Sequence, residues 1–118
     1  MSIECFECQS NSRTVQWVSS SGGAVSLKFD HDIYALKLRD ADRVVVLELV
    51  AERDNATIHA EDGAVLHRVS NPDPNALCFG DVFYVNDELT LISRRRDASM
   101  TACVIDEEGT VLRTYETR

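Results

Sequence analysis

Two stretches of the sequence decide the fold: residues 56–66 read ATIHAEDGAVL, and residues 102–112 read ACVIDEEGTVL. Each stretch has a short run rich in apolar residues, an acidic turn that ends in glycine, and a second run. A glycine after an acidic residue supplies the positive φ that a tight hairpin turn requires. Both stretches therefore predict β-hairpins, and their spacing of 46 residues indicates an internal repeat.

The rest of the chain continues the strand pattern. Apolar residues recur with a period of two rather than 3.6, and Val, Thr and Ile are frequent, which favours strands. The run Val44-Val45-Val46-Leu47 is apolar on both faces, as in a central strand that is covered on both sides. Only residues 47–55 also suit a short helix. We predict ten strands in an antiparallel meander, at residues 15–19, 24–29, 33–38, 43–50, 56–60, 64–69, 81–85, 88–94, 100–106 and 110–116.

These strands group into units within one all-β domain over residues 1–118. Two four-stranded units are expected at 33–69 and 80–116, with a half unit at 14–29 in front of them. Four antiparallel strands in about 40 to 50 residues resemble a β-propeller blade. A closed propeller needs at least about four blades. The predicted architecture is therefore blade-like units, a rolled sheet or a sandwich, and the unpaired half unit suggests a homodimer.

Composition and charge exclude several classes of protein. The chain of 118 residues has 12 Lys and Arg against 20 Asp and Glu, a formal net charge of −8. Such a chain is poorly suited to binding phosphate backbones, so we expect no nucleic-acid partner. No apolar run approaches the ~20 residues of a membrane-spanning helix. The first residues show no basic and apolar pattern of a signal peptide, so we expect a cytoplasmic protein without a membrane partner.

Few residues form a pattern typical of metal binding or catalysis. Cys5-x-x-Cys8 has the spacing of a zinc-binding or redox pair, but no second such pair exists, and His31, His59 and His67 lack ligand spacing. We expect reduced thiols, no metal and no cofactor. Asp30-His31-Asp32 is interpreted as a polar turn between two strands. The single Trp17 argues against a lectin, because sugar-binding propellers usually repeat an aromatic residue in each blade.

The acidic residues are distributed unevenly between the two ends of the predicted meander. Its turns alternate between the ends, so the loops can be assigned to an end without a structure. One end collects nine acidic residues: Asp40, Asp42, Glu61, Asp62, Asp87, Glu88, Asp106, Glu107 and Glu108. Only Arg39 and Arg43 oppose them, which gives a formal −7. Tight turns favour Asp and Glu for their own reasons. An acidic rim nevertheless concentrates negative potential and attracts basic partners.

The expected function is therefore a non-enzymatic binding protein. A cytoplasmic inhibitor of a basic partner, such as an immunity protein that neutralises a nuclease-like bacterial toxin, would have this size and charge. The nine acidic residues would be the partner-binding site. The alternatives are a small β-barrel enzyme with an internal site that uses His59 or His67, and an oligomeric structural or lectin-like propeller subunit.

The cysteine pattern generates the first prediction, that metal is dispensable for folding. Purified protein treated with a chelator is expected to melt at the same temperature as untreated protein, because Cys5 and Cys8 have no second ligand pair. Thermal unfolding followed by circular dichroism, together with metal analysis, checks this. A large fall in melting temperature with about one zinc per chain would contradict it.

Overall fold

Every regular element of the protein is a β-strand in the part of the chain that the computed structural model describes, residues 3–8 and 12–117. The strands are β1 (Glu4–Glu7), β2 (Ser12–Val18), β3 (Ala24–Lys37), β4 (Arg43–Glu48), β5 (Ala56–Ala60), β6 (Val65–Val69), β7 (Ala76–Val85), β8 (Glu88–Arg95), β9 (Met100–Ile105) and β10 (Val111–Thr117). The predicted all-β fold with about ten strands is confirmed.

The strands form two antiparallel sheets in which each strand pairs with its neighbours in the sequence. One sheet has six strands in the order β1 to β6, and the other has four strands in the order β7 to β10. The sheets do not close into a barrel. The architecture is therefore two stacked meanders, and the barrel of the enzyme alternative is not formed.

The main core lies between the two sheets. Inward-facing side chains of the six-stranded sheet, among them Val45, Leu47 and Ile58, pack against Leu91 and Cys103 of the four-stranded sheet. Burial raises the pKa of the Cys103 thiol to about 11. This cysteine therefore stays protonated at neutral pH and acts as an apolar residue of the core.

A second core lies on the opposite face of the six-stranded sheet. Val44 and Val46 of β4 point to this side and pack in one cluster with Val15 and Trp17 of β2. All four residues of the run from Val44 to Leu47 are fully buried, as their double-sided apolar pattern predicted. We call the covering elements, β1, β2 and residues 24–29 of β3, the outer hairpin layer.

The outer hairpin layer exists because β3 changes its pairing partner halfway along its length. Residues 24–28 pair with β2, whereas residues 33–37 pair with β4. A register shift separates the two halves, so the first half swings over the sheet. The edge-to-face contact of Phe29 with His59 holds it there, with 6.4 Å between ring centroids. The prediction that Asp30-His31-Asp32 is a turn was therefore wrong, because these residues lie inside one continuous bent strand.

Other predicted elements also differ from the structure. β1 was not predicted, and it pairs with β2, which covers the edge of the half unit that had suggested a homodimer. β7 begins at Ala76, ahead of the predicted start at Asp81, because register shifts let its first residues pair with the end of β8. Residues 47–55 contain no helix, since β4 continues to Glu48 and a loop follows.

The two repeated hairpins have the same turn geometry. In the β5–β6 turn the amide of Gly63 donates to the carbonyl of Ala60, and in the β9–β10 turn the amide of Gly109 donates to that of Asp106. Their φ angles are 93° and 95°, a region that glycine adopts without strain. Each hairpin also has a register shift between its two strands, and the two shifts lie at positions 46 residues apart. The 46-residue repeat in the sequence is thus a repeat of backbone geometry.

A buried asparagine joins the two sheets across the main core. The side-chain amide of Asn55 donates to the carbonyls of Glu48, at 2.6 Å, and Phe79, at 2.9 Å. Its oxygen accepts the amide of Phe79 at 2.7 Å. Phe79 lies next to a register shift in β7, where the strand ladder is interrupted. Asn55 therefore supplies hydrogen bonds that the strand itself does not provide there.

Replacing this asparagine is expected to destabilise the fold strongly. Asn55→Ala leaves the amide and carbonyl of Phe79 without their partners in the core, and we expect a loss of about 2–4 kcal/mol of unfolding free energy. Denaturant unfolding measures this, with Asn75→Ala as the matched control because the Asn75 side chain is exposed. Equal losses in the two variants would show that the Asn55 bridge is unimportant.

Candidate partner-binding site

The turns that carry the nine predicted acidic residues lie at one end of the molecule, which we call the acidic end. Contacts between the turns establish this. Arg43 pairs with Ala60, which puts the β3–β4 and β5–β6 turns side by side. The Asp40 amide donates to Glu107 Oε2 at 3.3 Å, which joins the β3–β4 and β9–β10 turns. The alternation of turns in the meander therefore places these loops together.

Part of the acidic end forms a cavity of about 230 Å³. Its wall includes five of the nine predicted residues: Asp40, Asp87, Glu88, Asp106 and Glu107. Apolar side chains, including Leu89, Val104 and Leu112, form the rest of the lining together with Tyr84. The cavity is therefore amphipathic, with carboxylates beside an apolar surface.

Tyr84 fixes one of these carboxylates. Its hydroxyl donates to Glu107 Oε2 at 2.6 Å and accepts the Arg39 amide at 2.9 Å. Partial burial, and next the hydrogen bond to Glu107, raise the pKa of Tyr84 to about 12. The guanidinium of Arg43 donates to the Glu107 carbonyl at 3.0 Å. Sequence reasoning missed Tyr84, because nothing in its strand indicated that its side chain reaches the turns.

Two of the nine carboxylates form ion pairs. Arg39 Nη1 lies 2.7 Å from Asp87 Oδ1, and its guanidinium carbon is 4.2 Å from the centre of the Tyr84 ring. Arg113 holds both oxygens of Glu88, and this bond lowers the pKa of the Glu88 carboxyl. Arg113 comes from β10, across β9 from Glu88, so the spacing in the sequence did not reveal the pair. The acidic end is therefore less negative than predicted.

The four remaining predicted residues, Asp42, Glu61, Asp62 and Glu108, do not line the cavity. Glu61 belongs to the neighbouring surface, where its carbonyl accepts Trp17 Nε1 at 2.6 Å. Asp62 Oδ1 accepts the amide of Ala64 in its own turn at 3.0 Å. Within residues 3–8 and 12–117, seven of the nine carboxylates have no Lys, Arg or His in salt-bridge range.

The cysteine and histidine candidates lie apart from the acidic end or serve the fold. Cys5 is exposed with a φ of 52°, whereas Cys8 is half-buried against the second core. His59 is buried, and its ring nitrogens contact Thr57 Oγ1 at 2.8 Å and the Gly63 carbonyl at 3.0 Å. Burial lowers the pKa of His59. In the described part of the chain, no three His, Cys, Asp or Glu side chains are arranged to hold a metal ion.

Three consecutive arginines occupy residues 94–96 at the end of β8, and the first two have different contacts. Arg95 donates to the buried carboxylate of Asp73, which lies in the loop before β7, and this pair anchors the loop. The Arg94 side chain lies against Gly80, where a Cβ atom would collide with it. Both arginines lie at the end of the molecule opposite the acidic end, since β8 runs away from the β7–β8 turn.

Comparisons with protein-family models, with curated proteins and with solved structures find no match for this chain. No helix in the described residues is long and apolar enough to cross a membrane.

The hydroxyl of Tyr84 generates a prediction about alkaline pH. Because folding raises its pKa from the ordinary 10.0 to about 12, the neutral form stabilises the fold. This contribution is complete below pH 10 and is lost as the pH rises through 12. We expect one tyrosine to titrate near pH 12 in absorbance at 295 nm, and Tyr84→Phe to remove that step. Tyr34→Phe is the control, and the prediction is wrong if it removes the same step.

Proposed function

We propose that this protein is a non-enzymatic inhibitor that binds a basic protein partner through the acidic end. The class we favour is a cytoplasmic immunity protein that neutralises a nuclease-like bacterial toxin. The observation that carries the proposal is the arrangement of five carboxylates around one amphipathic cavity. Such a cavity suits a long basic side chain better than a small polar molecule.

The cavity supports this proposal through its two kinds of lining. Lysine and arginine have an apolar stem and a charged tip, and they bury the stem while the tip stays with polar groups. The stem of such a side chain would pack on the exposed Leu112, and its tip would reach Asp40 and Asp106. A buried basic side chain of this type is a frequent centre of binding energy at protein interfaces.

The hydrogen bonds within the acidic turns hold them in shape before a partner arrives. Asp106 Oδ1 accepts the amides of Glu108 and Thr110, both at 2.9 Å, and Glu107 is fixed by Tyr84. A surface that is already ordered loses less conformational entropy on binding. The exposed pairs of Arg39 with Asp87 and Arg113 with Glu88 contribute little to stability, so a partner's cations can replace them at small cost.

Inhibition would follow from occlusion. A nuclease holds the phosphates of its substrate with Lys and Arg side chains. Carboxylates that pair with those side chains occupy the same surface, and the body of the inhibitor excludes the nucleic acid. Because the attraction acts at a distance, it raises the association rate, and salt weakens it.

The test compares two variants with the same change in net charge. Asp40→Asn/Glu108→Gln neutralises two exposed residues of the acidic end whose side chains make no hydrogen bond within the described residues. Asp30→Asn/Glu52→Gln neutralises two exposed residues outside it. Each protein is used as bait in a lysate of the native host, and basic proteins captured by the wild-type protein are identified by mass spectrometry.

We expect the wild-type protein and the Asp30/Glu52 variant to capture the same basic protein, with the Asp40/Glu108 variant associating about five- to tenfold more slowly at low salt. The difference should shrink as salt is added. If both variants associate with the partner at the wild-type rate, or if the captured partner is acidic, the acidic end is not the binding surface.

A further inference from the structure

The outward face of the four-stranded sheet has the shape of a trough. Three outward residues near the middle of the two central strands are small: Thr90 on β8, and Ala102 and Val104 on β9. Larger side chains flank them, with Phe83 on β7 and Tyr115 on β10. The three small residues are only 1–2% exposed although no strand of the described chain lies over them. The flanking side chains therefore shield a continuous apolar floor.

This face differs from the corresponding face of the six-stranded sheet. That sheet carries the outer hairpin layer on its outward side, and the second core forms there. Within the described residues, no element covers the outward side of the four-stranded sheet. At one end of the trough, Phe83, Ile92 and Met100 line a groove of about 340 Å³, with Asp81 and Arg94 beside it.

The trough carries opposite charges at the two ends of β8. The outward residues of this strand are Glu88, Thr90, Ile92 and Arg94, in that order. When this row is read in the opposite direction, Arg94 takes the position of Glu88, and Glu88 takes the position of Arg94. Two copies of the strand that face each other in opposite directions therefore place Glu88 against Arg94 twice. A basic partner protein suits this face less well, because it would approach the positive charges of Arg94 and Arg113.

We propose that the outward face of the four-stranded sheet binds a second copy of this chain and forms a symmetric dimer. The two-fold axis lies in the interface and runs across the strands, so that β8 of each chain crosses the other in the opposite direction. Phe83, Ile92 and Tyr115, the accessible apolar side chains of this face, meet those of the second chain above the buried floor, as in aligned packing of two sheets. Glu88 keeps Arg113 of its own chain, since a carboxylate has about four acceptor positions.

The size of the face determines how tight this dimer can be. Four strands about 4.8 Å apart and about seven residues long give a planar face of roughly 19 by 23 Å, or about 440 Å². Stable complexes bury about 800 Å² of accessible surface on each partner. Side-chain relief raises the accessible area above the planar value, but the face is still small. We therefore expect a reversible dimer with a dissociation constant on the order of 10 µM.

The dimer face borders the acidic end, since Glu88 and Val104 belong to both surfaces, but the two proposals are tested by separate measurements. The reversed directions of the two β8 strands send the two acidic ends to opposite poles of the dimer, where the turns that carry Asp40 and Glu108 lie outside the contact. The dimer is measured on the purified protein alone, whereas inhibition requires the basic partner. A failure of one proposal therefore leaves the other standing.

Sedimentation equilibrium between 1 and 200 µM, with two charge-reversal variants, tests the proposal. The wild-type protein is expected to shift from 13.2 kDa toward twice that mass. Arg94→Glu and Glu88→Arg each place like charges in contact and should raise the dissociation constant at least about tenfold. An equimolar mixture of the two variants restores both opposite-charge contacts. We expect the mixture to form heterodimers with near wild-type affinity.

Lys28→Glu is the matched control, because it reverses an exposed charge on the outer hairpin layer and should leave the dimer unchanged. Thermal unfolding of every variant confirms that each one is folded. A wild-type protein that stays at 13.2 kDa up to 200 µM overturns the proposal. A dimer that neither charge reversal weakens, or a mixture that fails to associate, also overturns it, because the contact then lies elsewhere.

Discussion

The burial of β4 on both faces is the constraint on which the rest of the structure depends. Val45 and Leu47 face the four-stranded sheet, and Val44 and Val46 face the outer hairpin layer. Each such side chain contributes roughly 1.5–3 kcal/mol when it leaves water. Both faces must therefore be covered, which requires a second sheet on one side and a folded-over strand pair on the other. The bend in β3 folds β2 and the first half of β3 over this outer face of β4.

The same requirement positions the acidic end. Stacking the two sheets over β4 brings the β3–β4 turn next to the β7–β8 and β9–β10 turns, although these turns are far apart in the sequence. Tyr84 and Arg39 then reach across from one sheet to the other. The cavity is thus a product of the sheet packing, and its carboxylates are held by groups whose first role is to join the sheets. The two surfaces proposed for binding, the acidic end and the outward trough, lie on strands that this core makes rigid.

The candidate site was predictable in part. The nine acidic residues could be assigned to one end because a meander of antiparallel strands alternates its turns, and the pairing of Arg43 with Ala60 and the contact of Asp40 with Glu107 agree with that assignment. The roles of Tyr84 and Arg113 could not be predicted, since their partners are 23 and 25 residues distant. Nor did the sequence distinguish a carboxylate in an ion pair, such as Glu88, from one without a cationic partner.

The amino-acid sequence by itself determined the strands, the hairpin turns and the double burial of β4. Those features depend on local physics: period-two alternation, the positive φ of Gly63 and Gly109, and a run that is apolar on both faces. Only the tertiary structure decided that β3 is one bent strand, that β1 covers β2, and that five carboxylates share a cavity. These features depend on contacts between segments that are distant in the chain, and the energies of such contacts leave no periodic pattern in the sequence.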